Sequence, residues 1–184
     1  MSLTVEHLIE IMPNCPRAVV ADYAILLTDA MAGGQITTVT RAACFLGQLA
    51  HESGDLRWMV EQDSGEAYEG RADLGNTNKG DGPRYKGRGP IQLTGRANYH
   101  RVGKKLGLPL EEQPDIAARP DVGFRVAALY WTEHSLNVAA DKLDYPGITR
   151  AINGGLNGYS QRVAKTQIAL GVLGRSATII GAGP

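Results

Sequence analysis

Along the chain, apolar residues return at helical rather than strand spacing, and glycine or proline closes most of the runs. Residues 3–12 predict a short amphipathic helix stopped by Pro13. A second helix runs from about Arg17 to Ala32 and ends at Gly33-Gly34. Thr40 reads as the N-cap of a third, with Ala42, Phe45, Leu46, Leu49 and Ala50 on one face. Helical patterns return at 95–106 (stopped by Gly107), 120–140, 146–153 (stopped by Gly154-Gly155) and 160–173. The stretch 62–90 breaks the pattern with seven glycines, many polar residues and almost no apolar period. It predicts a long loop with at most a short hairpin, and loops of that length in compact domains are usually functional. The last ten residues, from Arg175, read as a loosely held tail. The expectation is one all-α domain spanning 1–184, without internal repeat or linker.

Composition changes this picture little. A chain of 184 residues, 43% hydrophobic and 21% charged, can bury a core without disulfides or metals. The formal net charge is zero, which argues neither for nor against a polyanionic partner. The distribution is less even. Eight acids and three bases lie between Glu52 and Asp81; seven bases and no acid lie between Arg84 and Lys105. Such a pattern fits a cleft with walls of opposite sign and, equally, a plain solvated surface. The basic run carries Tyr85 and Tyr99, but its charges are spread over a loop and around a helix, so nucleic acid is not an expected partner.

Cys15 and Cys44 sit in apolar company without a C-x-x-C pattern, and buried thiols are expected in preference to a disulfide. His7, His100 and His134 are scattered, so no metal site is expected. The segment Met1–Asn14 has no basic start and carries Glu6 and Glu10, unlike a signal peptide, and no run approaches a membrane span. A cytoplasmic chain that is not inserted in a membrane is expected, and an extracytoplasmic target would then need another route out.

The first candidate for chemistry is Glu52, in Ala50-His51-Glu52-Ser53-Gly54. Continuing the third helix places it on the apolar face, three residues after Leu49 and seven after Phe45. A carboxylate there must be paired or protonated, because desolvation disfavours its charged form. A raised pKa is what a general acid needs at neutral pH. Gln48, one turn earlier, is placed to hold it. The competing reading, of equal weight, is a helix-end glutamate that bends out to water. His51 points about 100° away on the helix and reads as a structural hydrogen bonder.

Glu61 is the next carboxylate of interest. An unbroken helix would carry it about 13 Å along the axis, beyond the roughly 6.5–9.5 Å of an inverting glycosidase pair. The pair requires the helix to stop soon after Glu52, and Ser53-Gly54 supplies the place. Glu66 and Glu69 are rival bases, in a loop where a solvated surface is the default. Trp58 lies between the two glutamates and suits a cleft lining or the core equally; Tyr130 and Trp131 read as core. In Arg84-Tyr85-Lys86-Gly87-Arg88-Gly89-Pro90-Ile91-Gln92-Leu93-Thr94 the glycines allow close approach of backbone to a ligand. Tyr85 offers a flat face for a sugar ring, while Gln92 and Thr94 offer hydrogen bonds. The segment lacks the spacing of a phosphate loop.

Ala-His-Glu-Ser-Gly, then Arg-Tyr-Lys-Gly-Arg-Gly-Pro-Ile-Gln-Leu-Thr-Gly-Arg-Ala-Asn-Tyr, then Ile-Asn-Gly-Gly resemble glycoside hydrolase family 19, and within it the phage endolysin branch, over about residues 40–173. The resemblance implies an all-α, lysozyme-like fold with two lobes around a cleft. It implies Glu52 as general acid, Glu61 as the base that activates water, and Thr94 as a holder of that water. Asn98 and Asn153 match asparagines of the sugar-binding cleft. Tyr85, Arg88 and Gln92 fall in the motif that builds one wall, and Arg162 matches an arginine near the second carboxylate.

Plant members are longer and disulfide-bonded, and this chain lacks much of the loop material that extends their cleft. The expected activity is therefore hydrolysis of β-1,4 bonds in bacterial peptidoglycan with inversion, without cofactor, by a monomer. A holin, or lysis itself, would bring the enzyme from the cytoplasm to the wall. Alternatives are a chitinase, an inactive glycan-binding module, and a lytic transglycosylase in which Glu52 acts alone.

Overall fold

The computed structural model describes residues 1–181, with side chains described through Arg175. Among the described residues the regular structure is helical: α1 (Val5–Ile11), α2 (Val20–Gly33), α3 (Val39–Glu52), α4 (Asp81–Arg84), α5 (Arg96–Leu106), α6 (Pro120–Glu133), α7 (Leu136–Asp141), α8 (Tyr145–Asn153) and α9 (Tyr159–Gly181). The 62–90 stretch holds two 3₁₀ turns, Glu66–Tyr68 and Ala72–Leu74, followed by α4. The expected short hairpin is reduced to isolated antiparallel bridges, Val60 with Arg88 and Arg88 with Leu93. No described helix is long and apolar enough to cross a membrane.

The chain forms two compact units. One combines residues 1–57 with 128–184; the other is the continuous segment 58–127. In the first, α3 is enclosed by α1, α7 and α9. It is buried all round from Ala42 to Ala50, including Gln48, instead of along a single stripe. Helices with partners on every side lose their polar face. Phe45 meets Trp131 edge-on at 5.4 Å, and both side chains are fully buried. Gly47 lets α9 approach: a Cβ there would lie 2.8 Å from the backbone of Thr166. The second unit packs α4 on the first 3₁₀ turn and α5 on the second. Its centre is the Tyr85–Tyr99 pair, 5.4 Å apart.

Four sequence expectations need correction. The cap of α3 is Thr38, whose hydroxyl accepts from Arg41 N at 3.2 Å, not Thr40. The expected 120–140 helix breaks between Glu133 and Leu136, where Ser135 takes φ 54° and the chain turns into α7. Tyr130 is only half-buried, its hydroxyl donating to Ala151 O. The tail expected from Arg175 continues α9 to Gly181, and residues 182–184 lie outside the described residues. Cys15 and Cys44 are free buried thiols, as expected.

Candidate active site

In the first unit the site is built on the last turn of α3. Ser53 closes the helix through its N–H and its hydroxyl, both donating to Leu49 O at 3.0 and 2.6 Å. Gly54, Asp55 and Leu56 then take φ of 58°, 63° and 64°, so the chain turns away immediately after Glu52. This is the stop that Ser53-Gly54 was expected to supply. The Glu52 side chain is 22% exposed, and its Oε1 lies 2.6 Å from Nη1 of Arg162. Of the two ways to tolerate a carboxylate on this face, the structure uses pairing.

Arg162 is 2% exposed; it also donates to Gln48 Oε1 at 2.8 Å and to Asn157 O at 3.2 Å. Two expectations change. Arg162 pairs with the first carboxylate, and it is enclosed by Glu52, Gln48 and Asn157 instead of being presented to a sugar. Gln48 holds Glu52 only through Arg162. His51 packs the Cε1–Nε2 edge of its ring on Gly158, where a Cβ would lie 2.6 Å away. The contact leaves no room for a side chain at position 158. Burial, and then the neighbouring Arg162, push the pKa of His51 below the ordinary 6.5.

In the second unit Glu61 lies next to the Val60–Arg88 bridge. Its N–H donates to Gly87 O at 2.9 Å, and Gly87 N–H donates back to Oε2 at 2.8 Å. Tyr68 donates its hydroxyl proton to Oε1 at 2.7 Å. Each carboxylate oxygen therefore has a fixed donor. A Cβ on Gly87 would lie 2.4 Å from Gln92 Oε1 and 3.1 Å from Glu61 Oε2, so a larger residue here would push on both side chains. The Tyr68 phenol is pushed up to about 12, first by its bond to Glu61 and then by burial, so it remains a donor. Tyr68 was missed from the sequence, where nothing but a seven-residue spacing in a polar loop marks it.

The long motif mixes half-buried polar side chains with fully buried framework. Thr94 Oγ1 donates to Gln92 O at 2.9 Å, and Asn98 donates to Thr94 O at 2.8 Å. Gln92, held at φ 56°, donates to Gly89 O at 2.9 Å. These three half-buried side chains follow one another along the unit that holds Glu61. Tyr85 is buried (3% exposed), so the expected sugar platform is corrected: its ring lies on Tyr99 and its hydroxyl on Glu111 O at 3.1 Å. Arg88 is likewise framework. It pairs with Asp115 at 2.7 Å and donates to Arg84 O, Lys86 O and the Tyr99 hydroxyl.

Asn153 ends α8, exposed, in the first unit. Trp58 is 45% exposed and does not belong to the core. Of the rival bases, Glu69 clamps the loop by accepting from Gly80 N and Gly82 N at 2.6 and 2.8 Å. Glu66 is exposed at the start of a 3₁₀ turn. Arg84, Lys86, Arg88 and Arg96 of the basic run all bond to groups of their own unit, which favours the plain-surface reading of the charge pattern.

A Haemophilus influenzae glycosyl hydrolase family 19 domain-containing protein is 40% identical over 95 residues, covering 52% of this chain and 46% of its own. Rice (Oryza sativa subsp. japonica) chitinase 8 is 33% identical over 174 residues, covering 82% of this chain and 65% of its own. The chain thus spans less than two thirds of the length of either relative. The fold is also that of chitinase C from Streptomyces griseus, with a TM-score of 0.74 at 24% identity over 94% of this chain and 76% of that one. The class IV chitinase of Zea mays gives 0.66 at 20% identity, covering 89% and 84%. Residues 18–142, more than half of the chain, match the class I chitinase family model, and the chain belongs to that family, glycoside hydrolase family 19.

Proposed function

We propose that the chain hydrolyses β-1,4-glycosidic bonds of bacterial peptidoglycan with inversion, Glu52 acting as general acid and Glu61 as general base. The observation that carries this reading is the contrast between the two carboxylates. Glu52 is gripped at Oε1 by Arg162, and among the described residues Oε2 has no partner. Glu61 is fixed at both oxygens by Tyr68 and Gly87. In the reaction, Oε2 of Glu52 gives its proton to the glycosidic oxygen as the C1–O bond breaks. Water attacks C1 from the opposite face, aided by the Thr94 hydroxyl, and its proton passes to Glu61. Solvent then restores both groups, so the sum is addition of one water.

Peptidoglycan is favoured by the sparse loop material around the motifs. Without the loop material of longer members, peptide stems on alternate sugars meet less obstruction. A second reading, a chitinase, is favoured by the relatives, which carry that name. We also propose that the protein acts as a monomer and meets the wall at lysis.

The test compares purified peptidoglycan with chitin hexamer, using wild type, Glu52→Gln and Glu61→Gln. The expected outcome is cleavage of peptidoglycan to α-anomeric reducing ends, with each variant reduced about 10²- to 10⁴-fold, the usual contribution of general acid–base catalysis. Preference for the hexamer would replace the substrate by chitin. Anhydromuramyl products with an active Glu61→Gln would replace hydrolysis by transglycosylation. Tight binding of peptidoglycan without new ends would leave only a glycan-binding module.

A further inference from the structure

Three residues past Glu52 lies a second carboxylate that the reaction does not use. Asp55 is 1% exposed, yet it is fully supplied with donors. Lys165 Nζ reaches Oδ1 at 2.6 Å; Asn14 reaches Oδ2 through Nδ2 at 2.8 Å and through its backbone N–H at 3.3 Å. Arg162 and Lys165 are one turn apart on a single face of α9. They hold Glu52 and Asp55, which have the same three-residue spacing across the end of α3. At the second carboxylate the backbone is costly. Asp55 and Leu56 are both left-handed, conformations that persist only where surrounding contacts over-determine them. The contacts here are Asp55 N–H to Ala50 O at 2.9 Å, Leu56 N–H to the Ser53 hydroxyl at 2.8 Å, and the Asp55 ion pair.

We propose that Asp55 and Lys165 form a positioning pair for Glu52, tying the terminal turn of α3 to α9 so that Oε2 is held on the line of proton transfer; this rests on the role proposed for Glu52. Packing alone would be served as well by an apolar residue, because a buried ion pair seldom stabilises more than the hydrophobic side chains that could replace it. What an ion pair adds is direction. With α3 and α9 joined at two successive points, the last helical residue can neither fray nor rotate, and small misplacement of a reacting group is expensive in rate.

The test uses Lys165→Met, which removes the cation and keeps the stem, and Lys165→Arg, which keeps the charge. It reads kcat and KM on the substrate that wild type cleaves, together with the ¹³C carboxyl resonance of Glu52, assigned by its loss in Glu52→Gln. In Lys165→Met, kcat is expected to fall roughly 10- to 100-fold with KM little changed, and the Glu52 resonance to broaden or shift. Lys165→Arg is expected to recover most of the rate. Asn14→Ala, which removes the side-chain donor to Asp55 Oδ2 and keeps the backbone one, is the second variant should Lys165→Met not fold; a smaller kcat loss in the same direction is expected. A variant that keeps kcat and an unmoved Glu52 resonance overturns the proposal, as does a loss confined to thermal stability. If wild type cleaves neither peptidoglycan nor chitin, the enzymatic reading fails, and the resonance alone still decides whether the pair orients Glu52.

Discussion

Both proposed catalytic carboxylates are held by partners whose loss should be felt in rate before stability. Tyr68→Phe removes one donor from Glu61 while leaving the ring in place. A hydrogen bond to a charged group contributes about 1.5–3 kcal/mol, so kcat is expected to fall roughly 10- to 100-fold, with the thermal midpoint nearly unchanged. Unaltered steady-state kinetics would remove Tyr68 from the site. His51 gives a stability test. Its folded pKa lies below the unfolded 6.5, so between those two values the unfolded chain binds the proton and the folded chain does not. Stability therefore rises with pH through that window and is lost as pH falls through it. Urea midpoints measured from pH 5 to pH 8 should show this slope in wild type and a shallower one in His51→Gln. Equal slopes would show that His51 titrates alike in both states.

At the scale of elements, the pairing of α3 with α9 depends on one missing methyl group. A Cβ on Gly47 would lie 2.4 Å from the Thr166 hydroxyl and 2.8 Å from both its backbone N and Cα. Gly47→Ala is expected to cost about 1–3 kcal/mol, as overpacking does, and to lower activity by displacing Arg162. Thr166→Ala should not rescue it, because the backbone contacts remain; a full rescue by urea denaturation would place the clash at the hydroxyl alone. Helix ends of this kind were legible in the sequence wherever the signal is local. Pro13, Gly107 and Gly154 stop helices where expected, the last two at φ 66° and 74°. The break at Ser135 was not, since no glycine or proline marks it and the surrounding pattern is apolar enough to continue. The site divides in the same way. Glu52, Glu61 and the turn between them follow from motif and spacing. Periodicity, however, says which residues share a face and not which element lies opposite. That is why Tyr85 and Arg88 prove to be framework, Arg162 turns to Glu52, and Asp55, Lys165 and Tyr68 carried no sequence signal.

At the scale of the molecule, the two carboxylates belong to different units, and the first unit is assembled from both ends of the chain. Residues 18–142, matched by the family model, contain Glu52, Glu61 and Thr94 but stop before α8 and α9, which carry Asn153 and Arg162. Yet α9 supplies Arg162, Thr166 and Lys165, packs on α3, and buries Ala169, Val172 and Leu173. Removing it would uncover a helix that is buried on every side and leave Asp55 with one partner fewer and Glu52 without its arginine. A buried carboxylate stripped of its partner is strongly destabilising, and an exposed apolar face of this size promotes association. A fragment ending at residue 142 is therefore expected to keep helical circular dichroism but lose cooperative thermal unfolding, exchange the α3 amides rapidly and release no reducing ends. If it instead melts cooperatively and cleaves at the wild-type rate, α9 is dispensable and the acid needs no arginine beside it. The family match would then mark a complete catalytic unit, whereas in this structure α9 closes a side of α3 that the match leaves open.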